Sequence, residues 1–596
     1  MAAPKHYRDY TDDEMEESYM AMLMQQFVEE NAYKYKGLEK STHFRLFYLD
    51  PATPDSPLRR RGSLVECSLD NPPEYEALSY VWGIGDKDAI IGIDGSVLQI
   101  TTSLSNVLLR LRLPDRVRAL WIDQLCIDQT NPDERSEQVR QMGKIYQKAK
   151  GDLMWLGEES SSSRVAFGWV RQTVELFFLK NTRAAGVDNM SRQQYEAVRE
   201  TFSERPIWRR IWIVQEVLLS RNITLLCGGD SLDWSNLEKL LATDSFQPTN
   251  MFRTAINKLL NHAFVTVIFL VSWRNKIQRN VRVPLKDMLY MFRDWNATDE
   301  RDKVYGLLGL VEDIEIVPDY KKSVCDVSID TATAIVTQSL SLDFICSDRI
   351  GQLREDVATL PSWVPYLGIK HFLLNGATVR LFDASKGTMM TDQAFTIHHN
   401  VLTARGRHID FIESVSNSAD IMLSSSSGFH AQLFESIPKS CIPKDETEES
   451  IGRWDAIWRT LVHDRNVSLH RLTGSEVLAY RAQFFQWFHA ILSTGTPPST
   501  KPPSDFMMVL EAINITERQF AITKNHKLVV SAANAAKVGD EICILETASV
   551  PLIVRSIAGS EQGEAFHYIG TAYVHSLMDG ELMRDGQYLT QSYKLI

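Results

Sequence analysis

Between residues 75 and 230 short apolar runs alternate with helical segments, and this alternation constrains the fold more than any other feature of the chain. Residues 75–82 read as a strand, and residues 90–100 as a hairpin around Asp94-Gly95, a dipeptide suited to a tight primed turn. Residues 104–113 are expected to be helical, and residues 119–127 form a mostly apolar run of the buried-strand type. The next helix carries its own start and stop signals. Asn131 caps it, Pro132 takes its first position, Asp133 and Glu134 face the positive end of the dipole, and Gly151 ends it. Val139, Met142, Tyr146 and Ala149 share one of its faces. Residues 153–156 follow as a short strand, and Gly157 opens a serine-rich loop. After a helical insertion, a tryptophan-rich helix is expected over residues 206–219 and a strand over 222–227. Strands and helices in this order imply an α/β domain with a largely parallel sheet.

The flanks differ in character. Residues 13–37 read as a helix, with Tyr19, Met22, Leu23 and Phe27 at helical spacing. Residues 44–48 are β-like, and turn chemistry follows at residues 50–51 and 54–57. Residues 235–345 are mostly helical in pattern, residues beyond about 360 mix strands and helices, and residues 529–573 return to β character. Residues 494–504, rich in Pro, Ser and Thr, read as a loop or linker. This divides the chain into an N-terminal helical extension (1–40), an α/β domain (41–245, core 75–217), a mainly helical region (246–370) and a mixed β-rich C-terminal region (371–596).

The apolar content of 44% and charged content of 23% are those of a globular protein. With 64 basic against 76 acidic residues the net charge is -12, which argues against nucleic-acid binding through a broadly basic surface. The short basic run Arg59-Arg60-Arg61 reads as a solvated loop. Seven dispersed cysteines without a Cys-x-x-Cys pair suit a reducing compartment. No apolar signal core follows Met1, and the apolar run at residues 264–271 spans less than half a bilayer. The expectation is a cytoplasmic protein with no membrane span.

Several stretches carry a resemblance to a known family. They are Tyr75-Glu-Ala-Leu-Ser-Tyr-Val-Trp-Gly83, Leu120-Trp-Ile-Asp-Gln-Leu-Cys-Ile-Asp-Gln129, and Glu134-Arg135 followed by Gln138-Val139, Met142 and Ile145-Tyr146. Trp155-Leu156-Gly157 and Arg210-Ile-Trp-Ile-Val-Gln-Glu216 complete the series. In order and spacing these blocks resemble the fungal heterokaryon-incompatibility (HET) domain over about residues 41–230. Residues 297–310, 360–365, 539–540 and 568–581 are similar to the larger proteins that carry it. The sequence departs from the family pattern at Asp128, Tyr366 and Thr547-Ala548-Ser549.

The resemblance implies fungal non-self recognition followed by programmed cell death. It also implies a distant likeness to Toll/interleukin-receptor (TIR) domains, hence a TIR-like, flavodoxin-like sheet. In TIR domains that are enzymes, a glutamate four residues after a tryptophan is required for cleaving NAD; here these are Glu216 and Trp212. Glu216 is thereby the candidate catalytic carboxylate. Ser79, Tyr80, Trp82, Gly83, Asp123 and Trp212 are the candidate NAD-contacting residues, with NAD as substrate and no cofactor required. The alternative is a non-catalytic signalling module acting by self-association through the HET domain or by recruiting an unidentified incompatibility partner.

Each candidate also has a plainer reading. Trp212 and Glu216 lie one helical turn apart, so a carboxylate beside an aromatic wall could stabilise positive charge on a ribose as its glycosidic bond breaks. Equally, Glu216 could pair with Arg209 or Arg210 and fix the helix. Asp123 ends a buried strand, and ligands gather outside the carboxyl ends of strands in open α/β sheets; equally, it caps a loop amide. Tyr80 and Trp82 fit core packing, while Gly83 and Gly85 would let backbone approach a ligand. Arg135 reads as a surface ion-pair partner and Arg301-Asp302 as a buried salt bridge. Cys126 reads as an inert buried thiol. The histidines show no metal-ligand spacing, so no metal site is expected, and no Gly-x-Ser-x-Gly elbow is present.

Overall fold

The computed structural model describes the chain apart from residues 1–21, 53–60, 84–86, 180–189, 243–254, 349–358, 368–372, 375–380, 387–393, 416–447, 467–469, 495–517, 526–527, 534, 558–564 and 585–588. The expected turn at residues 54–57, Gly85, and nearly all of the linker at 494–504 fall outside the described residues. The chain forms two compact units. The first comprises Met1–Val283 and Trp295–Lys321, the second Pro284–Asp294 and Lys322–Ile596.

The first unit is built on a nine-stranded sheet. Its strands are β1 (His43–Leu49), β2 (Arg61–Ser68), β3 (Glu76–Ser79), β4 (Ala89–Ile93), β5 (Ser96–Ile100), β6 (Arg118–Trp121), β7 (Asp152–Trp155), β8 (Ile223–Cys227) and β9 (Asp230–Asp233), in the order β5-β4-β2-β1-β6-β3-β7-β8-β9. The block β6-β3-β7-β8 is parallel throughout. The flanks are mostly antiparallel: β1 pairs with β2 and β6, β4 with β5 and β8 with β9 in that sense, and only β2–β4 adds a parallel pairing. The sheet is therefore mixed around a parallel centre, not largely parallel. Two-residue connections such as Asp94-Gly95, both with positive φ (51° and 83°), turn the chain back at an edge.

Helices surround the parallel centre. Residues 22–30 form α1. Then come α2 (Thr102–Leu111), the single turn α3 (Asp123–Cys126), α4 (Pro132–Lys148), α5 (Ser161–Leu179), α6 (Arg192–Arg199), α7 (Trp212–Leu219), α8 (Trp234–Leu241) and α9 (Ala255–Gln278). The expected cap of α4 is present: Asn131 accepts from the amides of Asp133 and Glu134 at 3.1 and 3.3 Å. Two expectations are corrected. The apolar run 119–127 is a strand only to Trp121. Leu125 and Cys126 are wholly buried on one turn of helix instead, and periodicity cannot separate these readings in a short apolar run. The helix expected over 206–219 is broken. Pro206–Arg209 form a 3-10 turn, Arg210 is extended, and α7 begins at Trp212. Arg210 forms a bridge with Asn296, so pairing with a distant segment overrides local helix propensity there.

That segment belongs to the first unit. The chain leaves for α10 (Leu285–Met291) of the second unit and returns through α11 (Asp302–Leu308). Arg301 forms its ion pair with Asp299 at 2.8 Å, whereas Asp302 accepts from the Tyr320 hydroxyl at 2.6 Å and from the Trp212 indole at 3.1 Å. The buried Arg301–Asp302 pair expected from sequence is thus replaced by two separate arrangements. Arg135 reaches the same place: it lies 3.5 Å from the centre of the Tyr320 ring and 3.3 Å from Asp299, so its partners are distant in sequence and not its neighbour Glu134. The Asp302 contacts fasten the first turn of α7. Tyr320→Phe is expected to lower stability by about 1–3 kcal/mol, the range for a hydrogen bond to a carboxyl group left short of a donor. Urea denaturation of the two proteins checks this.

The second unit carries α12 (Val324–Ser339), α13 (Glu448–Val462) and α14 (Gly474–Thr494) beside a β-barrel. A small pair, β10 (Ser347–Asp348) and β11 (Leu373–Leu374), forms its own two-stranded sheet. The remaining strands are β12 (Phe395–His398), β13 (Val401–Val415), β14 (Arg518–Thr523), β15 (Val529–Ala533), β16 (Glu541–Leu545), β17 (Leu552–Ile557), β18 (Ala565–Val574) and β19 (Thr590–Leu595). Seven of them run β12-β13-β14-β15-β18-β17-β16, β19 pairs with β13 and β18, and the β13–β16 pairing closes the ring. Its interior is filled by small and branched side chains such as Ile412, Val530, Ile542, Ile553 and Val574.

Candidate active site

The loops and helices after the central strands converge beside β3 and β7. Ser79 ends β3, and its Oγ lies 2.9 and 3.0 Å from the two oxygens of Asp152, the first residue of β7. The Tyr146 hydroxyl, on the buried face of α4, is 3.4 Å from the same Oγ. Glu216 projects from α7 into this group at 2% exposure, and its Oε2 has no hydrogen-bond partner. Nearer the ends of the strands, Asp123 accepts from the Trp82 indole at 3.1 and 3.0 Å and from the Gln124 amide at 2.7 Å. Arg210 donates to the Tyr80 carbonyl.

Glu216 and Asp123 share the Arg210 guanidinium, and Asp152 feels the charge of Arg274. Burial raises the pKa of Glu216 to about 7, against the opposing charge of Arg210. Asp152 is pushed well above the usual carboxylate range by burial and then by the charge of Glu216. Burial also raises Asp123, although Arg210 and the bonds from Trp82 and Gln124 oppose it. For Arg210 burial works against the charge, but Glu216 and Asp123 outweigh it and its pKa rises. Burial thus favours the protonated form of each acid, and Glu216 is poised near the pH at which a carboxyl group can both give and take a proton.

The sequence candidates divide accordingly. Glu216, Ser79 and Asp123 come together electrostatically, with Trp82 on Asp123. Arg210 is the opposing charge on Glu216 without an ion pair within 4 Å among the described residues, and hydrogen bonds from Ser79 and Tyr146 also lower its pKa. Trp212 is occupied with Asp302. Tyr80 is buried and donates to Gln124 Oε1 at 3.0 Å, a core role. Gly83 is exposed with φ 96°, a conformation that favours glycine, and a Cβ there would meet nothing within 4 Å. Cys126 is fully buried and its thiol is pushed up to about 12 by burial. Glu39, His43 and Glu66 have ligand atoms within 4.8 Å of one another, and His43 pairs directly with Glu66 at 2.7 Å. Sequence reasoning missed Asp152 and Tyr146. The lone carboxylate opening an otherwise apolar strand was the available signal for the first, whereas Tyr146 was indistinguishable from a packing residue.

A mixed sheet with a parallel centre, a buried carboxyl cluster at its strand ends and a separate closed barrel define a two-part α/β and β-barrel protein. Residues 75–216 match the family model described as Heterokaryon incompatibility protein (HET), and residues 504–589 match that of the Het-6 beta-barrel domain. A curated relative, "Heterokaryon incompatibility protein 6, OR allele" of Neurospora crassa, is 23% identical over 672 residues, covering 93% of this chain and 96% of the relative. The chain thus carries one stretch similar to the HET domain and a second similar to the Het-6 barrel. No solved structure matches it. Among the described residues no helix is long and apolar enough to cross a membrane.

Proposed function

We propose that the chain acts in fungal non-self recognition and that its HET domain triggers cell death by cleaving NAD. The recognition role rests on the family and on the relative's name. The observation that carries the chemistry is Glu216: a buried carboxyl with an unpartnered oxygen, next to an arginine with which it forms no ion pair. A side chain kept only to fix a helix would gain from such a pair, because an unpaired buried carboxylate is destabilising. The strand order supports a TIR-like frame. Taken in chain order, the parallel strands β3, β6, β7 and β8 stand in positions 2-1-3-4, as in flavodoxin-like sheets, whose ligands bind where that order reverses.

In this reading the nicotinamide ribose lies beside Trp82, Gly83 and Asp123, with Asp123 holding ribose hydroxyls. The C–N glycosidic bond breaks, and the electron pair leaves with nicotinamide, neutralising its ring charge. Ionised Glu216 stabilises the oxocarbenium character of the ribose, and water completes ADP-ribose while releasing one proton. Glu216 is enclosed in the resting arrangement, so the rim at Trp82 and Gly83 must open for substrate. That same enclosure favours a second reading, in which the domain signals by self-association and the cluster only tunes its stability.

Incubating purified full-length protein with NAD and following nicotinamide and ADP-ribose separates the two. Equal amounts of both products, growing with time, are expected. Constant NAD at high protein concentration, together with cell death on expression, would sink the enzyme reading and leave the signalling module.

A further inference from the structure

The second unit contains a buried cation with no carboxylate paired to it among the described residues. Arg465 follows α13 at 2% exposure, and its Nε and Nη2 both lack a hydrogen-bond partner. Burial pushes this guanidinium down only to about 10, so it is charged at neutral pH. The nearest acid in sequence is already engaged: Asp464 pairs with Arg459 at 3.3 Å and with Arg471 at 3.0 Å. Arg471 in turn pairs with Asp579 at 3.0 Å.

A second orphaned donor stands two residues away. His463 stacks on Tyr573 of β18, with ring centres 5.0 Å apart, and its Nε2 lies 2.9 Å from Ser531 Oγ of β15. Ser531 Oγ accepts from Arg518 Nε at 3.3 Å, so its own hydrogen is free to go to His463 Nε2. In the tautomer in which Nε2 accepts from Ser531, the His463 hydrogen lies on Nδ1, which is buried and has no hydrogen-bond partner. Burial, Arg518 and Arg465 together hold His463 neutral, its pKa well below 6.5. His463 and Asp464 also have positive φ (47° and 54°), an arrangement that surrounding structure must enforce.

We propose that the second unit holds a phosphate group at Arg465, enclosed between the end of α13 and barrel strands β15 and β18. Nε and Nη2 form the edge of a guanidinium that takes two oxygens of one oxyanion side by side. The His463 Nδ1 hydrogen supplies a third donor. A tetrahedral phosphate offers oxygens in more directions than a planar carboxylate, which suits donors carried by two separate side chains.

Because the place is enclosed, the anion is expected to copurify. Denaturing purified full-length protein and assaying released phosphate should give one equivalent per chain, and Arg465→Met should give none. After refolding without phosphate, adding inorganic phosphate should raise the wild-type melting temperature by about 5 °C beyond chloride at equal ionic strength, with no such rise in Arg465→Met. Should Arg465→Met fail to fold, Arg465→Lys serves instead, since it keeps the charge but cannot present two donors along one edge; a weaker phosphate response is expected. Release of no phosphate combined with no phosphate-specific shift overturns the proposal. So does an equal response in the Arg465 variants. A shift with succinate but not phosphate assigns the place to a carboxylate and also overturns it. Bound phosphate that proves to be covalently attached to a serine or threonine does the same.

Discussion

Glu216→Gln is expected to yield a protein more stable than the wild type above neutral pH and much slower at cleaving NAD. The stability effect follows from linkage. Glu216 titrates at about 7 in the folded protein and at its ordinary 4.5 when unfolded. Between those values the folded protein holds a proton that the unfolded chain has released, so stability falls as pH rises through the window and stays at the lower level above it. The difference corresponds to about 3 kcal/mol at most, and a neutral glutamine does not incur it. Urea denaturation at pH 8 should therefore favour the variant, and the advantage should vanish by pH 4. The activity effect has the opposite sign: loss of a carboxylate acting on the reacting centre should slow NAD cleavage by roughly 10²–10⁴-fold. A variant that is both sturdier and much slower separates a catalytic group from a structural one. Unchanged NAD cleavage by a well-folded Glu216→Gln would remove Glu216 from the reaction.

The second large effect concerns a buried ion pair between β1 and the start of α4. Glu134, in the first turn of α4, meets Arg45 of β1 at 2.5 and 3.0 Å, and both side chains are below a tenth exposed. Arg45 also donates to the Cys126 and Lys36 carbonyls, and Glu134 Oε1 accepts the Asp128 amide at 2.8 Å. One ion pair thus joins β1, the segment after α1, the loop after α3 and the start of α4. Glu134→Ala leaves the guanidinium buried without its carboxylate, which costs about 3–5 kcal/mol and lowers the melting temperature by roughly 10 °C. The double replacement Arg45→Met with Glu134→Leu should recover much of this, since no charge then remains to be buried. If the single variant melted like the wild type, the pair would be solvated in solution and the packing described here would be wrong.

These residues also mark what the sequence made legible. The start of α4 could be read in full because its signals are local: a capping side chain, a proline and two acids in the first turn. The short strands β3, β7 and β8 were visible through apolar runs bounded by turn residues. The β-rich character near the C-terminus was visible in the same way, but the closure of the barrel depends on β13 pairing with β16, across more than a hundred residues, and no local pattern records it. Arg45 looked like any charge in a short strand, because only the fold brings Glu134 to it. The break at Arg210 was hidden for the same reason, its partner Asn296 lying far along the chain. Within the site, Glu216, Asp123 and Ser79 stood out through the family resemblance. Asp152 and Arg465 did not, for each is unremarkable until its burial and its partners are known.

The return of residues Trp295–Lys321 to the first unit has a consequence for how the protein is made. A ribosome adds about 5–20 residues per second, so on the order of ten seconds separate the emergence of α7 from that of Asp302 and Tyr320. During that interval the helix carrying Glu216 exists without the clamp on its first turn. A message cut short between those points would release a chain with its central strands complete but that clamp missing. Quality control of the nascent chain, and not only the finished fold, thus bears on which form of this protein accumulates.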